Sequence, residues 1–220
     1  MGRFGVLCVL AILLVGLSGA SEHTFAEYKD SLVTIKEADE HLMKGSGFVY
    51  GPEGYIITNN HIVVENGIEQ DLEVRFNQSS SWTEVKTIGR DPGTDLAVLK
   101  VNELPENIES LQISNSTPKQ GQRVSILGNP LGVEGVLLSG EIVDINENIT
   151  TKEGVTLNNS FVISADIEPG NSGGRVLISE GEVIGVISVR NEGHGVGFAV
   201  PASIVRKTVP QIIRNQTTED

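Results

Sequence analysis

Residues 170–174 read Gly-Asn-Ser-Gly-Gly, and this string is informative about the fold because His61 and Asp95 precede it along the chain. Glycine accepts backbone angles that other residues avoid, so the glycines around Ser172 allow a sharp turn that leaves backbone N–H groups beside the hydroxyl. A serine hydroxyl becomes a nucleophile when a base takes its proton and donors await the oxyanion. Alone, the string is also typical of a surface turn, so its assignment depends on partners elsewhere in the sequence.

Two upstream segments supply a candidate base and a candidate carboxylate. His61 follows the run Gly54-Tyr-Ile-Ile-Thr-Asn-Asn60, whose aromatic and β-branched residues predict a strand that ends at the rim of a barrel. Asp95 follows a Pro-Gly turn and precedes an apolar strand, where its carboxylate can fix the tautomer of an imidazole. Taken singly, the three residues fit a rim histidine, a turn cap and a turn hydroxyl. In the order His, Asp, Ser they predict a nucleophilic triad distinct from the subtilisin and α/β-hydrolase orders.

Six short strings follow one another along the chain: Gly45-Ser-Gly-Phe48, Thr58-Asn-Asn-His-Ile62, Asp95-Leu-Ala-Val-Leu-Lys100, Gly128-Asn-Pro130, Pro169-Gly-Asn-Ser-Gly-Gly174 and Gly197-Phe-Ala-Val-Pro201. With these strings the chain resembles the HtrA/Deg serine proteases, a branch of the trypsin-like fold. The resemblance implies that His61 is the general base, Asp95 its orienting carboxylate and Ser172 the nucleophile. It also implies an oxyanion hole at the backbone N–H groups of Gly170 and Ser172, and a reaction without a cofactor.

Short apolar segments separated by Gly, Pro and Asn predict a mostly β protein. The predicted strands are Ser31–Lys36, Ser46–Tyr50, Tyr55–Thr58, Asp71–Phe76, Thr83–Asp91, Leu96–Val101, Arg123–Leu127, Val133–Ile145, Phe161–Ser164, Val176–Ile178, Val183–Arg190 and Gly197–Val200. Twelve such strands favour a double barrel over a parallel α/β sheet. The predicted fold class is therefore all-β: a chymotrypsin-like pair of six-stranded β-barrels with a C-terminal helix.

The domain organisation follows from the same pattern. Residues 21–220 are predicted to form the trypsin-like serine protease domain, with an N-terminal barrel at about 30–101, a linker at about 102–120 and a C-terminal barrel at about 121–200. The terminal helix is predicted over residues 201–214, with a kink or break at Pro210. HtrA/Deg proteins commonly carry PDZ domains of ~90 residues. Since only residues 215–220 follow the helix, we expect a protease domain without a PDZ domain.

Residues 1–20 have the character of a secretory signal peptide. Arg3 precedes an apolar run that ends in small residues at Ser18 and Ala20. The run is short for a membrane span, which needs ~20 residues, and an uncleaved N-terminal membrane anchor is the alternative. The expected location is therefore outside the cytoplasm: extracellular, periplasmic or at the cell surface.

Composition excludes several other functions. The only cysteine, Cys8, lies in this leader, which excludes a thiol nucleophile and a thiolate zinc site in the mature chain. The net charge of −13 disfavours nucleic acid as a partner, and no His, Asp or Glu cluster has the spacing of a metal site. Five Asn-x-Ser/Thr sequons suggest a glycoprotein; they lie at Asn77, Asn115, Asn148, Asn158 and Asn215.

Three residues are predicted to shape the primary specificity pocket. Asp166 lies six positions before Ser172, which in trypsin-like folds is the base of that pocket. A carboxylate there would select Lys or Arg through a charge-assisted hydrogen bond, whereas HtrA-like enzymes usually prefer small aliphatic residues. Ser188, expected near Asp95, and Arg190 are predicted to form another wall, and Arg190 could also neutralise Asp166.

These observations predict an exported serine endopeptidase that cleaves unfolded or damaged polypeptides through an acyl-enzyme. The substrate would lie along the cleft as an extended strand. The resemblance also allows a homotrimer. The alternative functions are a catalytically silent, HtrA-like polypeptide binder or holdase, and an esterase or transferase that uses the same residues.

Overall fold

The computed structural model describes residues 25–106, 108–151, 154–191 and 195–216. These residues form two closed six-stranded β-barrels, one small hairpin and a C-terminal helix. The predicted fold class is therefore confirmed. The predicted leader, residues 1–20, lies outside the described residues. In the described part of the chain, no helix combines the length and apolar character needed to cross a membrane.

The first barrel closes in the order β1-β2-β3-β8-β7-β6, with every neighbouring pair antiparallel. Its strands are β1 Leu32–Glu37, β2 Met43–Tyr50, β3 Tyr55–Thr58, β6 Leu72–Phe76, β7 Thr83–Asp91 and β8 Leu96–Lys100, with the hairpin β4 Val64–Glu65 and β5 Ile68–Glu69 between β3 and β6. Successive side chains of a strand point to opposite faces. Val33, Ile35, Ile56 and Leu99 accordingly fill the interior of this barrel and are fully buried.

The second barrel closes in the order β10-β11-β14-β13-β12-β9. Its strands are β9 Arg123–Gly128, β10 Val136–Thr150, β11 Thr156–Ser164, β12 Arg175–Leu177, β13 Val183–Asn191 and β14 Val196–Pro201. Strands β10 and β11 form a long hairpin. Strand β10 alternates half-buried and exposed residues along most of its length, which is typical of a strand with one solvated face. The interior is closed by Ile126, Ile142, Ile163 and Ile187, all fully buried.

Short helices connect these strands, and one longer helix joins the barrels. The helices are α1 Phe25–Asp30, α2 Asn60–Val63 and α3 Ala202–Gln216, with a 3₁₀ turn at Pro130–Gly132. Helix α3 buries Val205, Val209 and Ile212 in a cluster that contains residues of both barrels. Helix α3 continues through Pro210, so the predicted break at this residue does not occur. Burial of the apolar face offsets the backbone hydrogen bond that the proline removes.

The segment between the barrels runs along the second barrel in an extended conformation. Ile113 forms a parallel bridge with Val183. The amide of Val183 donates to the carbonyl of Gln112 at 2.9 Å, and the amide of Ser114 donates to the carbonyl of Val183 at 2.8 Å. The connection is therefore held against strand β13 along one of its edges.

Candidate active site

His61 and Asp95 are held together at the rim of the first barrel. His61 lies in the single turn α2 that follows β3, and Asp95 immediately precedes β8, the strand paired with β3. The Nδ1 atom of His61 lies 2.9 Å from Oδ2 and 3.1 Å from Oδ1 of Asp95. The histidine side chain is 25% exposed and the aspartate 2% exposed. A buried carboxylate on Nδ1 leaves Nε2 as the nitrogen that can exchange protons.

Asp95 has a left-handed backbone conformation, with φ of 54°. A non-glycine residue in this region carries a strain of about 1–3 kcal/mol, which persists only where the surroundings fix it. Here the carbonyl of Asp95 accepts from the amide of Asn60 at 3.1 Å and from Nδ2 of Asn59 at 3.0 Å. Its carboxylate accepts from the backbone amide of His61 at 3.0 Å and from the hydroxyl of Ser188. The strained turn is thus fixed by the histidine segment that it orients.

Ser172 lies in the turn before β12, between two glycines with positive φ. Gly170 has φ of 95° and Gly173 has φ of 80°. Among the described residues, no acceptor takes the backbone N–H of Gly170 or of Ser172. A Cβ atom at position 170 would lie 2.8 Å from the backbone nitrogen of Leu131 and 2.9 Å from the carbonyl oxygen of Asn129. The turn therefore combines two available donors with a position that excludes a side chain.

Ser46 connects the first barrel to this turn, a role that the sequence analysis missed. Its backbone amide donates to the carbonyl of Ser172 at 2.7 Å, and its hydroxyl donates to the carbonyl of Gly170 at 2.6 Å. The same hydroxyl accepts from the amide of Asn129 at 2.9 Å. Its carbonyl accepts from the hydroxyl of Thr58, at the end of β3. The available signal was the string Gly45-Ser-Gly-Phe48, which supported the resemblance but had received no role.

Asn129 fixes the loop that faces Gly170. This fully buried side chain donates to Oγ1 of Thr34 at 2.7 Å and to Oδ1 of Asn77 at 2.8 Å, and it accepts from the amide of Gly135 at 2.7 Å. The loop of Pro130–Gly132 is thereby tied to the first barrel, although it precedes a strand of the second.

The hydroxyl of Ser172 donates to the carbonyl of Ser188 at 2.7 Å. Among the described residues, no hydrogen bond joins the Ser172 hydroxyl to His61, so the hydroxyl is oriented differently from that of a serine bonded to its histidine. Rotation of the serine side chain about its first torsion angle moves the hydroxyl from one staggered orientation to another. Ser188 contacts both sides of the site, since its hydroxyl bonds Asp95.

A cleft of about 740 Å³ surrounds these groups. The tip of the β10–β11 hairpin contributes Ile149 and Val155, and Val189 and Arg190 line it from β13. Lys44 also lines the cleft and pairs with Glu65 at 2.7 Å and with Glu37 at 3.1 Å. Burial opposes the charged ammonium, but the hydrogen bonds to the two carboxylates outweigh it and raise the pKa of Lys44. No group of three or more metal-ligating side chains occurs within the described ranges.

The structure brings two of the three predicted pocket residues to the cleft. Ser188 and Arg190 line it, whereas Asp166 is exposed and does not. The amide of Ile167 donates to the carbonyl of Ala165 at 2.9 Å, which closes a three-residue turn with Asp166 at its apex. Both flanking side chains, Ala165 and Ile167, are buried, whereas Asp166 itself is exposed. Arg190 lies 3.5 Å from Glu168, a contact that the sequence did not predict.

Comparison with known proteins agrees with this geometry. The trypsin-like peptidase domain family matches residues 45–186. Protease Do-like 8 of the Arabidopsis thaliana chloroplast is 37% identical over 184 residues, which cover 77% of this chain and 41% of that protein. A probable periplasmic DegP-like serine endoprotease of Chlamydia pneumoniae is 33% identical over 82% of this chain and 36% of its own length.

Solved structures give the same result. The active form of the Rv3671c protease from M. tuberculosis has a TM-score of 0.72 at 27% identity, over 85% of this chain and 82% of that one. The HtrA-type protease AlgW with a tripeptide has a TM-score of 0.74 at 26% identity, over 87% and 64%. The chain therefore belongs to the trypsin-like peptidase family, with HtrA/DegP-type proteases as its relatives. It spans less than half the length of the two curated relatives described above.

Proposed function

We propose that the chain is an exported serine endopeptidase that cleaves unfolded or damaged polypeptides with His61, Asp95 and Ser172. The observation that carries the proposal is the bifurcated contact between Nδ1 of His61 and the buried carboxylate of Asp95. This contact leaves the other ring nitrogen available as a base. The two backbone donors at Gly170 and Ser172, which have no acceptor within the described residues, support an oxyanion hole.

In the proposed reaction, Oγ of Ser172 forms a bond to the carbonyl carbon of the substrate while Nε2 of His61 takes the hydroxyl proton. The carbonyl oxygen becomes an oxyanion held by the N–H groups of Gly170 and Ser172. His61 returns the proton to the leaving amine as the peptide bond breaks, which gives an acyl-enzyme. Water then releases the acyl group with His61 again as the base, and the hydroxyl of Ser172 is restored.

The finer parts of the proposal concern location, assembly and specificity. Export is supported by the leader-like residues 1–20 and by periplasmic and chloroplastic names among the relatives. A homotrimer or an N-terminal anchor is proposed only from the family resemblance and the leader. Arg190, rather than Asp166, lines the cleft, so we propose that the enzyme does not select Lys or Arg at the cleaved bond.

Hydrolysis of reduced casein by the chain and by its Ser172→Ala variant tests the proposal. Removing the nucleophile should lower turnover by about 10⁶, which leaves no detectable cleavage. Ser179→Ala is the matched control, because it removes an exposed hydroxyl outside the cleft and should leave the rate unchanged. A fluorescent fluorophosphonate should label the parent and the control but not Ser172→Ala.

The second candidate function is a polypeptide binder without hydrolysis. It is favoured by the hydrogen bond that directs the Ser172 hydroxyl to the carbonyl of Ser188 instead of to His61. If casein stays intact, the fluorophosphonate does not react and the chain still suppresses casein aggregation, the protease proposal is overturned in favour of this one. An esterase or transferase would show label on Ser172 and hydrolysis of activated esters without cleavage of casein.

A further inference from the structure

A second groove, separate from the catalytic cleft, lies between the inter-barrel segment, helix α3 and the β2–β3 hairpin. Its volume is about 740 Å³, and it shares no lining residue with the catalytic cleft. Tyr50 and Tyr55 line one side, Leu111 and Ile113 a second, and Ile213 of α3 a third. These five apolar or aromatic side chains are only partly buried, so the groove offers apolar surface that a ligand could remove from water.

Helix α3 places positive charge at this groove. Arg206, Pro210, Ile213 and Arg214 line it at spacings that share one face of the helix. One terminal guanidinium nitrogen of Arg206 is buried and has no hydrogen-bond partner among the described residues. A buried donor without an acceptor is unfavourable, and more so when it is charged. Arg206 therefore brings a guanidinium with unsatisfied hydrogen-bonding capacity to the groove, and a carboxylate is the group that pairs best with a guanidinium.

The inter-barrel segment also presents an open backbone edge. Its carbonyl at Gln112 and its amide at Ser114 are used by β13. In an extended chain the intervening residue points its own amide and carbonyl the opposite way. Accordingly, no described residue bonds to the backbone groups of Leu111 or Ile113. Such an edge can pair with an added strand, which is the main-chain basis of extended-peptide recognition.

We propose that this groove binds an extended acidic peptide that adds a strand to the edge at Leu111–Ile113. An acidic side chain of the peptide would accept from Arg206, and apolar side chains two residues away on the same face would pack on the tyrosines and Ile213. The charge of the groove supports an acidic partner, because Arg206 and Arg214 are grouped here in a chain with a net charge of −13. Glu53 and Arg214 both lie exposed at the rim, where solvent screens their charges, so the half-buried Arg206 contributes most to the preference for an acidic partner.

The binding test uses the Ser172→Ala chain, so its result does not depend on the proposed hydrolysis. The probe is the fluorescein-labelled heptapeptide Ser-Leu-Ser-Glu-Ser-Leu-Ser, which places leucine and glutamate on one face of a strand. A second peptide with Lys in place of Glu is the matched ligand. Fluorescence anisotropy should show at least tenfold tighter binding of the acidic peptide.

Variants connect this affinity to the groove. Arg206→Gln should weaken binding of the acidic peptide at least tenfold. Lys207→Gln, which removes a charge from the next, exposed position of the same helix outside the groove, should change it less than twofold. Equal affinities of the two peptides, or of the Arg206→Gln and parent chains, would overturn the proposal. Loss of self-association in Arg206→Gln by sedimentation, with unchanged peptide binding, would instead assign the groove to a second copy.

Hydrogen exchange supplies a second readout that needs no further substitution in the groove. The amides of Leu111 and Ile113 should exchange quickly in the free chain and slowly with saturating acidic peptide. The amide of Ser114, already bonded to Val183, should be slow in both states. Unchanged exchange at Leu111 and Ile113 in the complex would exclude strand addition.

Discussion

Ser46 donates its hydroxyl to the carbonyl oxygen of Gly170 over 2.6 Å, although 124 positions separate the two residues. Together with the 2.7 Å bond from the Ser46 amide to the Ser172 carbonyl, this fixes peptide groups on both sides of the nucleophile. One residue of the first barrel thus orients the turn that the second barrel supplies. The closeness of the two barrels is therefore part of the geometry of the site.

We expect Ser46→Ala to lower kcat/KM for casein by about ten- to hundredfold, less than the ~10²–10³ loss when an oxyanion donor is removed. The variant leaves the carbonyl of Gly170 and the amide of Asn129 without their buried partner. Ser80→Ala, at an exposed position of the same barrel, is the control and should match the parent. An unchanged rate of fluorophosphonate labelling in Ser46→Ala, measured well below its melting temperature, would contradict this role.

Gly170→Ala should lower activity more than Ser46→Ala does. The residue has φ of 95°, and an added Cβ would lie within 3 Å of the backbone at Leu131 and Asn129. An alanine would have to push the turn away from this backbone, which would displace the N–H group of residue 170. We therefore expect kcat to fall at least 10²-fold. Gly121→Ala separates strain from site geometry: its φ is 79°, but a Cβ there would meet open space. If steady-state kinetics showed similar losses of kcat in both variants, the proposed role of Gly170 in the oxyanion hole would be refuted.

Much of this fold follows from the apolar pattern, since all twelve predicted strands are present in the two barrels. Tyr55–Thr58 and Thr83–Asp91 even have the predicted ends. Strand β11 begins at Thr156, five residues before the predicted Phe161, because its first half is mostly polar and becomes a strand by pairing with β10. The single turn of α2 and the hairpin β4–β5 were not predicted, since both are too short for a periodic pattern.

The candidate site was predictable to the extent that it depends on local motifs. His61, Asp95 and Ser172 stand in recognisable strings, and the structure brings the first two into contact. The position of Asp166 depends on a three-residue turn whose neighbours are buried, which counting six residues back from the nucleophile cannot reveal. Ser46 was equally hidden, because its role exists only once the barrels meet.

Substitutions at Asp166 and Arg190 should affect specificity unequally. Asp166→Asn removes an exposed charge outside the cleft, so we expect the distribution of cleaved bonds in casein to stay unchanged. Arg190→Gln removes a positive charge that lines the cleft, and cleavage after Lys and Arg should increase relative to the parent. Mass spectrometry of the fragments measures both. If Asp166→Asn lost cleavage after Lys and Arg, Asp166 would have to be assigned to the specificity pocket after all.

The five sequons should not be used equally if the chain passes through a glycosylating export pathway. Asn77 is 7% exposed, and its Nδ2 atom, to which a glycan would attach, is buried. Asn115, Asn148 and Asn158 are exposed. We therefore expect glycans at exposed sequons and none at Asn77 in the folded protein. Glycopeptide mapping of the soluble, folded fraction measures occupancy, and a glycan on Asn77 in that fraction would contradict the described fold.

Arg175 should destabilise the fold, because this fully buried cation faces no carboxylate among the described residues. One guanidinium nitrogen donates to the hydroxyl of Ser31 at 3.0 Å and the group lies 5.8 Å from the ring of Phe48, but the other two nitrogens have no partner. Burial lowers the pKa of Arg175 to about 9. We expect Arg175→Met to raise the free energy of unfolding by about 1–4 kcal/mol at pH 7. Arg175→Lys keeps a buried charge and should give no such gain.

The pH dependence of this gain has a definite sign. Below about pH 9, Arg175 is charged in both states, so the folded chain bears the full cost of burying the charge. As pH rises above that value, the folded state releases the proton before the unfolded state does, and the stability of the parent increases relative to Arg175→Met. The difference between the two chains should therefore shrink by about 1.4 kcal/mol per pH unit above 9. Urea unfolding of both chains at pH 7 and pH 10 measures it, and a difference that stays constant between these pH values would show that the buried charge is compensated.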